Sequence, residues 1–595
     1  MFTQYTQRLL LLALCLPLLA IAQVSRGPLV GALTHEGAKL YVRTEQPSNV
    51  VVEYATNSQF ANLQTVSFST LANRDNSGQV SLGGLQADQV YYYRVRVNGG
   101  NPEGAGQFRT FPQPGQPSAQ GPLKIAFGSC QQRGARVSGR TGQIGGPTPE
   151  DSIFLPAAQR QPHVFIHLGD WAYPNTDIAN ADTIVPYTRE MSILEEAYRI
   201  RYSQDSYPSQ AQLFRNTAFD YIWDDCDYID GGSGGKWVAS KYGNPPNAVN
   251  LEFDPINRQN VQDAYMRYFP HYPLQDSANG IYHSYRMGNL EVFVLDLRAN
   301  MGKFYDAFVY GSNGRFTFQP PLSDTTFTIL GGAQRRWFFN ALKNSTADWK
   351  IVVSSVTFHK GYDALLDNAI NLQTLNIGGR NFKDLAYTLV EGWTGFRWER
   401  QALLDYIAAE NIKNVVVLSG DSHTSAIDDG RNGGLPELMA ANLTVENGEF
   451  LTFFPTLWNV CAQGVNGVPA RETFGLVEAH GRDSLRLVLV DKANREICSH
   501  WLVNQTTARP AENPFADVKV FPNPASQTLR VEGLPIAMGG ELQLVDISGR
   551  VLQTLELGDS QRNVTLQVGT LPRGLAILRW VGRGNPLVVK VVALQ

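Results

Sequence analysis

Between Gln23 and Pro112 apolar and polar residues alternate with a period of two. The run Val90-Tyr91-Tyr92-Tyr93-Arg94-Val95-Arg96-Val97 carries the pattern, and Lys39–Arg43, Val50–Tyr54 and Thr65–Phe68 read as strands by their β-branched content or alternation. Successive strand side chains point to opposite faces, so this alternation predicts half-buried strands and an all-β module over residues 23–113. Residues 111–121 are rich in Pro, Gln, Gly and Ser and read as a linker. Beyond it the period changes. Short apolar runs at Leu123–Phe127, Val164–Leu168, Leu290–Leu295, Ile351–Ser355 and Val415–Leu418 alternate with helical patterns at Tyr187–Ala211, Asn260–Tyr268, Ala333–Lys343 and Trp398–Glu410. That alternation predicts an α/β domain over residues 121–505. A second polar linker covers residues 504–513, and 515–595 returns to the strand pattern as a separate β domain.

The chain has 595 residues, too many for one core, which agrees with several domains. At the N-terminus Arg8 precedes an apolar run, Leu9–Leu19, and Ala20-Ile21-Ala22 fits a small-x-small cleavage site. Residues 1–22 are therefore expected to be a secretory signal peptide, too short for a membrane span. No other apolar run is long enough to span a bilayer, so the mature chain is expected to lack a transmembrane segment. The net charge of -4 gives no basic footprint for nucleic acid. Removal of the leader leaves Cys130, Cys226, Cys461 and Cys498. In an exported chain Cys461 and Cys498 either pair or remain two buried thiols.

Candidate chemistry sits at the strand ends. Cys130, Asp170, Asp296, His359 and Asp421 each follow an apolar run of the α/β domain. Buried carboxylates without partners cost several kcal/mol, so a cluster of such endings points to a site rather than to packing. Asp170 can bridge two cations. Tyr173 as phenolate and Cys130 as thiolate suit a ferric ion, while Asp421 and His423 add a carboxylate and an imidazole from another strand end. Two neighbouring metals activate water and clamp a phosphoryl oxygen, so the expectation is a hydrolase without a protein nucleophile. His359 is a secondary metal candidate.

The motifs Phe127-Gly128-Ser129-Cys130-Gln131, His167-Leu168-Gly169-Asp170-Trp171-Ala172-Tyr173, Trp223-Asp224-Asp225-Cys226-Asp227-Tyr228, Leu295-Asp296-Leu297-Arg298 and Val417-Leu418-Ser419-Gly420-Asp421-Ser422-His423 occur in one order. Gln334–Trp337 and Glu391–Arg400 follow the same pattern. Together they resemble the PhoD-like alkaline phosphatases, within the calcineurin-like metallophosphoesterases. The resemblance implies an α-β-β-α sandwich and an iron (Fe3+) and calcium (Ca2+) centre that hydrolyses phosphate esters by metal-bound hydroxide attack. Carried over by position, Cys130, Asp170, Tyr173 and His423 would hold the ferric ion. Asp170 and Asp421 would serve calcium, and Arg298 would meet the substrate phosphate or brace the site. Asp170, Asp421 and Arg298 are thus the catalytic candidates.

Two positions depart from the family pattern. Cys226 stands where a His is expected, and Asp230-Gly231-Gly232 lacks an expected Asn. Asp225, Asp227 or Asp230 would have to supply the missing oxygen ligand, and Asp225 is the candidate taken. Purple acid phosphatases share Gly-Asp-x-x-Tyr but expect Gly-Asn-His and Gly-His-x-His; here the latter reads Gly420-Asp421-Ser422-His423.

Leu82–Val95 resembles the late strands of a fibronectin type III sandwich, a wall beside the catalytic domain. Val520–Ala525, Leu542–Leu552 and Leu571–Leu575 resemble, in order, the C-terminal sorting domain read by the type IX secretion machinery. The expected protein is a secreted or surface-tethered phosphatase or phosphodiesterase with a phosphate-ester substrate. The alternative is a degenerate metallophosphatase fold that binds a ligand at the cell surface.

Overall fold

The computed structural model describes residues 23–131, 151–171, 191–228, 255–302, 328–371, 389–444, 457–464, 471–506, 518–534, 540–546, 550–558, 561–581 and 587–594, with short pieces at 308–310, 316–318, 376–377, 380–381 and 468–469. One compact unit ends at Thr506 and a second begins at Thr507.

The first unit opens with two small antiparallel sheets. Strands Val24–Gly31, Gly37–Thr44 and Ser77–Gly83 form one; Gln64–Ser69, Asn49–Ala55, Val90–Val97 and Glu103–Arg109 form the other, in those orders. Alternation settles the facing of Val90–Val97, whose Tyr91, Tyr93, Val95 and Val97 are buried. Val24–Gly31, Ser77–Gly83 and Glu103–Arg109 were not expected as strands. Their glycines weaken the pattern, and neighbouring strands supply the pairing that their own sequence does not announce. The module is not a free appendage. Its Tyr41 ring packs 5.3 Å from Tyr202, Tyr93 donates to the Arg215 carbonyl, and one buried core runs through both parts.

Two larger sheets face each other behind it. The first orders strands Ala218–Tyr221, Val164–His167, Leu123–Gly128, Thr473–His480, Ser484–Asp491 and Glu496–Val503; the first three are mutually parallel. The second orders His283–Met287, Leu290–Val294, Trp349–Val353, Val415–Ser419, Pro436–Ala440, Ser425–Asp429 and Cys461–Ala462, with a parallel centre of four. Strands Val164–His167, Trp349–Val353 and Val415–Ser419 are buried at every position, as parallel central strands must be. Helices Gly332–Asn344 and Arg397–Ala409 lie where the helical periods predict them. The single helix expected over Tyr187–Ala211 is instead two, Met191–Arg201 and Pro208–Asn216. Pro208 has no N–H and a fixed φ, so it opens the second helix rather than continuing the first. A disulfide joins Cys461 to Cys498 and so ties the edge of one large sheet to the edge of the other.

The second unit has two antiparallel sheets of its own. Lys519–Phe521, Thr528–Glu532 and Asn563–Gln567 form one; Val551–Leu557, Gly540–Asp546, Gly574–Val581 and Leu587–Leu594 form the other. Leu529, Val531, Leu542, Leu544, Leu566, Leu578 and Val592 fill its core. Among the described residues no helix is long and apolar enough to cross a membrane.

Candidate metal centre

Parallel strands bring their C-terminal ends to one place. Gly128, His167 and Tyr221 share a row of the first sheet. Cys130, Asp170 and Asp224 follow that row by two or three residues. Val294, Val353 and Leu418 share a row of the second sheet, and Arg298, Ser355 and Asp421 follow it. The side chains of the two sheets therefore converge across one seam.

Two ligand groups result. Cys130, Asp170 and His423 offer donor atoms within 4.8 Å of one another, and so do Asp170, Asp224, Asp225 and Asp421. Asp170 belongs to both. Cys130, Asp170, Asp421 and His423 all take positive φ, at 63°, 56°, 71° and 52°. Non-glycine residues rarely adopt this conformation, and packed surroundings must hold it. Here tight backbone ties do so. Gln131 N–H donates to the Asp170 carbonyl at 2.9 Å, and Asp421 N–H donates to Ser129 Oγ at 3.0 Å. Gly169 sits at φ 97°, and a Cβ there would lie 2.3 Å from Asp224 Cβ. Only glycine lets the two acid-bearing loops approach this closely.

Asp227 fixes those loops without serving as a ligand candidate in either group. Its Oδ2 accepts from Asp170 N at 2.6 Å and Asp224 N at 3.2 Å, and its Oδ1 accepts from Trp171 N at 3.1 Å. Arg201, itself buried, pairs with the same carboxylate. Both oxygens are spent on the backbone, which is why Asp225 and Asp224, not Asp227, face the cluster.

Asp224 was quoted in a motif but not singled out as a ligand. Its Oδ1 accepts from Arg298 Nε at 2.6 Å and from Ser355 Oγ at 2.8 Å. Among the described residues its buried Oδ2 has no hydrogen-bond partner, and neither do Arg298 Nη1 and Nη2. Asp296, the remaining acidic strand ending, braces this arrangement. It accepts from Trp223 Nε1 and from the Arg298 and Ala299 amides, and Gln334 bonds both its amide and its carbonyl.

His359 lies elsewhere. It is fully buried, its Nε2 meets Asp428 Oδ2 at 3.2 Å, and its Nδ1 accepts from Gly361 N–H at 2.9 Å. It belongs to neither ligand group. His167 points into an aromatic cage with Trp171, Phe219 and Tyr221, and burial pushes its pKa down. Tyr173, Asp230 and the Cys226 side chain lie outside the described residues.

The electrostatics suit cations. Burial first, then the neighbouring Asp225 and Asp224, pushes the Asp170 carboxyl well above its usual range. Asp421 is raised by burial and by Asp224 and Asp225. Asp224 is raised to about 6 by burial, against the opposing pull of Arg298. Crowded carboxylates of this kind are relieved by bound cations, which reverse the local charge. The donor sets also differ in chemistry. Sulfur, nitrogen and oxygen in the first group suit a transition metal, and an all-oxygen second group suits a hard divalent ion. The residues present therefore fit a two-metal centre.

Comparison with known proteins places the chain. A family model described as PhoD-like phosphatase matches residues 129–449, more than half of the chain, and its N-terminal domain model matches residues 20–112. A model for the secretion system C-terminal sorting domain matches residues 519–593, the core of the second unit. Alkaline phosphatase D of Bacillus subtilis (strain 168) is 28% identical over 370 residues, covering 59% of this chain and 54% of that protein. The chain thus spans about half the length of this curated relative. A solved structure of PhoD superposes with a TM-score of 0.56 at 18% identity, over 83% of this chain and 94% of that one. A purple acid phosphatase from yellow lupin (Lupinus luteus) seeds gives a TM-score of 0.45 at 11% identity, over 80% of this chain and 74% of that one. Family match and fold agree: the chain belongs to the PhoD-like phosphatase family and ends in a secretion-system sorting domain.

Proposed function

We propose that the protein is an exported metal-dependent phosphatase or phosphodiesterase whose metals share Asp170. The supporting observation is the joint membership of Asp170 in two ligand groups, beside an arginine whose two terminal nitrogens have no hydrogen-bond partner among the described residues. Cys130, Asp170 and His423 would hold the ferric ion, joined by Tyr173 as the family resemblance implies. Asp170, Asp224, Asp225 and Asp421 would hold the calcium ion. Cations bound there supply Lewis-acid polarisation of a phosphoryl oxygen and a lowered pKa for water.

The remaining roles belong to the chain itself. Arg298 Nη1 and Nη2 take phosphate oxygens in a planar fork, while its Nε stays on Asp224. Asp224 and Ser355 hold that fork in place, so little reorganisation accompanies substrate binding. Gly169 and the positive-φ residues keep the two acid loops at the spacing a shared ligand needs.

The sorting domain and the apolar leader over residues 1–22 support export, and a phosphate-scavenging role outside the cell fits both. Metal analysis combined with turnover of p-nitrophenyl phosphate and bis-p-nitrophenyl phosphate tests the reading. Bound metal and hydrolysis of at least one ester support it. Absence of both would instead favour a degenerate binding protein.

A further inference from the structure

Glu391 is not accounted for by the ligand groups. It opens the turn that leads into helix Arg397–Ala409, and its Oε2 lies 3.9 Å from Arg298 Nη1. Its side chain keeps 14% of its surface exposed, whereas Arg298 beneath it keeps none. Burial and then Asp225, Asp421 and Asp224 push its carboxyl well above the usual range, against the pull of Arg298; cations held by those aspartates would restore its charge, and it belongs to neither ligand group itself.

Its position is fixed by its neighbours. Trp393 is buried and donates from Nε1 to Ser354 Oγ at 3.1 Å, and the turn is closed by Gly395 N–H to Gly392 O and Phe396 N–H to Trp393 O. Ser354 thus holds the turn that carries Glu391. The adjacent Ser355 holds Asp224, which holds Arg298. One dipeptide sets the distance between Glu391 and the arginine fork.

We infer that Glu391 is a specificity-determining residue that biases this site toward phosphodiesters and against phosphomonoesters. The inference rests on the phosphatase reading above. A phosphate group bound to Nη1 and Nη2 of Arg298 must lie beside the Glu391 carboxylate, because Nη1 is the nitrogen that Glu391 faces. A diester carries one negative charge. A monoester carries nearly two above pH 6 to 7. The carboxylate repels both, and the second charge adds a penalty only the monoester meets. In a partly buried site with an effective dielectric near that of protein surfaces, one extra unit charge a few ångströms away shifts the preference by about tenfold.

The test compares kcat/KM for p-nitrophenyl phosphate and bis-p-nitrophenyl phosphate in the metal-loaded full chain and in Glu391→Gln and Glu391→Asp. The expected result is a monoester-to-diester ratio about tenfold higher in Glu391→Gln. Glu391→Asp, which keeps the charge, stays within about threefold of the unaltered chain. A merely structural role would lower both substrates together and leave the ratio alone. The inference is overturned if the ratio in Glu391→Gln is unchanged or falls, or if Glu391→Asp shifts it equally. An unaltered chain that is metal-loaded and hydrolyses neither ester overturns the phosphatase reading instead, and this inference with it.

Discussion

Arg298 Nε donates to Asp224 Oδ1 at 2.6 Å, with both side chains fully buried, and among the described residues the other two guanidinium nitrogens have no hydrogen-bond acceptor, Glu391 Oε2 standing off at 3.9 Å from Nη1. A buried guanidinium with a half-used fork is costly unless something else completes it. Phosphate oxygens do so bidentately. Arg298→Lys keeps a charge near Asp224 but cannot serve carboxylate and phosphate in one plane. We expect kcat/KM to fall about a hundredfold, inorganic phosphate to inhibit more weakly, and metal content to stay unchanged. Steady-state kinetics within about threefold of the unaltered chain would remove Arg298 from phosphate binding.

Stability of the metal-stripped protein should depend on pH with a defined sign. Asp170 and Asp421 are raised in the fold, and Asp224 is raised to about 6. A carboxyl raised on folding binds its proton more tightly in the folded state. Its contribution is therefore complete below the unfolded value near 4, and it is lost as pH rises through the folded value. Chelator-treated protein should melt at a higher temperature at pH 5 than at pH 8, and returning the metals should abolish the difference. Equal melting temperatures for the stripped protein at the two values would contradict this.

His359 follows a strand, as Asp170 and Asp421 do, and on that ground it was a ligand candidate. Its ring is instead committed to Asp428 and to the Gly361 amide, with the tilted Trp458 ring centred 4.4 Å away. His359→Ala should cost about 3 kcal/mol in urea unfolding and leave the metal content intact. Loss of one metal equivalent without loss of stability would return His359 to the centre.

The Cys461–Cys498 disulfide joins positions 37 apart in sequence, between the edges of the two large sheets. The double substitution Cys461→Ser, Cys498→Ser should lower unfolding stability by about 2–4 kcal/mol. Chemical denaturation checks this, and an unchanged midpoint would show that the sheets need no staple.

Much of this centre was legible before the fold. The run ending at Asp421 is uninterrupted and apolar, and those ending at Cys130 and Asp170 are broken only by Lys124 and His167, because parallel strands covered on both faces leave little room for polar residues. Their ends announced themselves. Asp224 did not, because its strand, Ala218–Tyr221, is four residues long and carries a buried Asp220 that meets His283 at 3.2 Å. Without a recognisable strand the rule about strand ends had nothing to act on, and the acidic run around 224–227 offered no way to divide its roles. The division is tertiary. Asp227 caps loops at Asp170 and Asp224, and Asp224 pairs with Arg298 across 74 positions of sequence. His359 illustrates the converse. The strand Trp349–Val353 stops six residues earlier, and the intervening loop carries the ring away from the seam.

The central claim is that one carboxylate serves two metals. Metal analysis of the purified full chain beside Asp170→Asn tests it most directly. Asn keeps the shape but removes the charge that both groups use. The account predicts that the unaltered chain holds metal at two sites and that Asp170→Asn loses metal from both. A variant that keeps its full complement, or that loses one metal and retains the other at full occupancy, would contradict it.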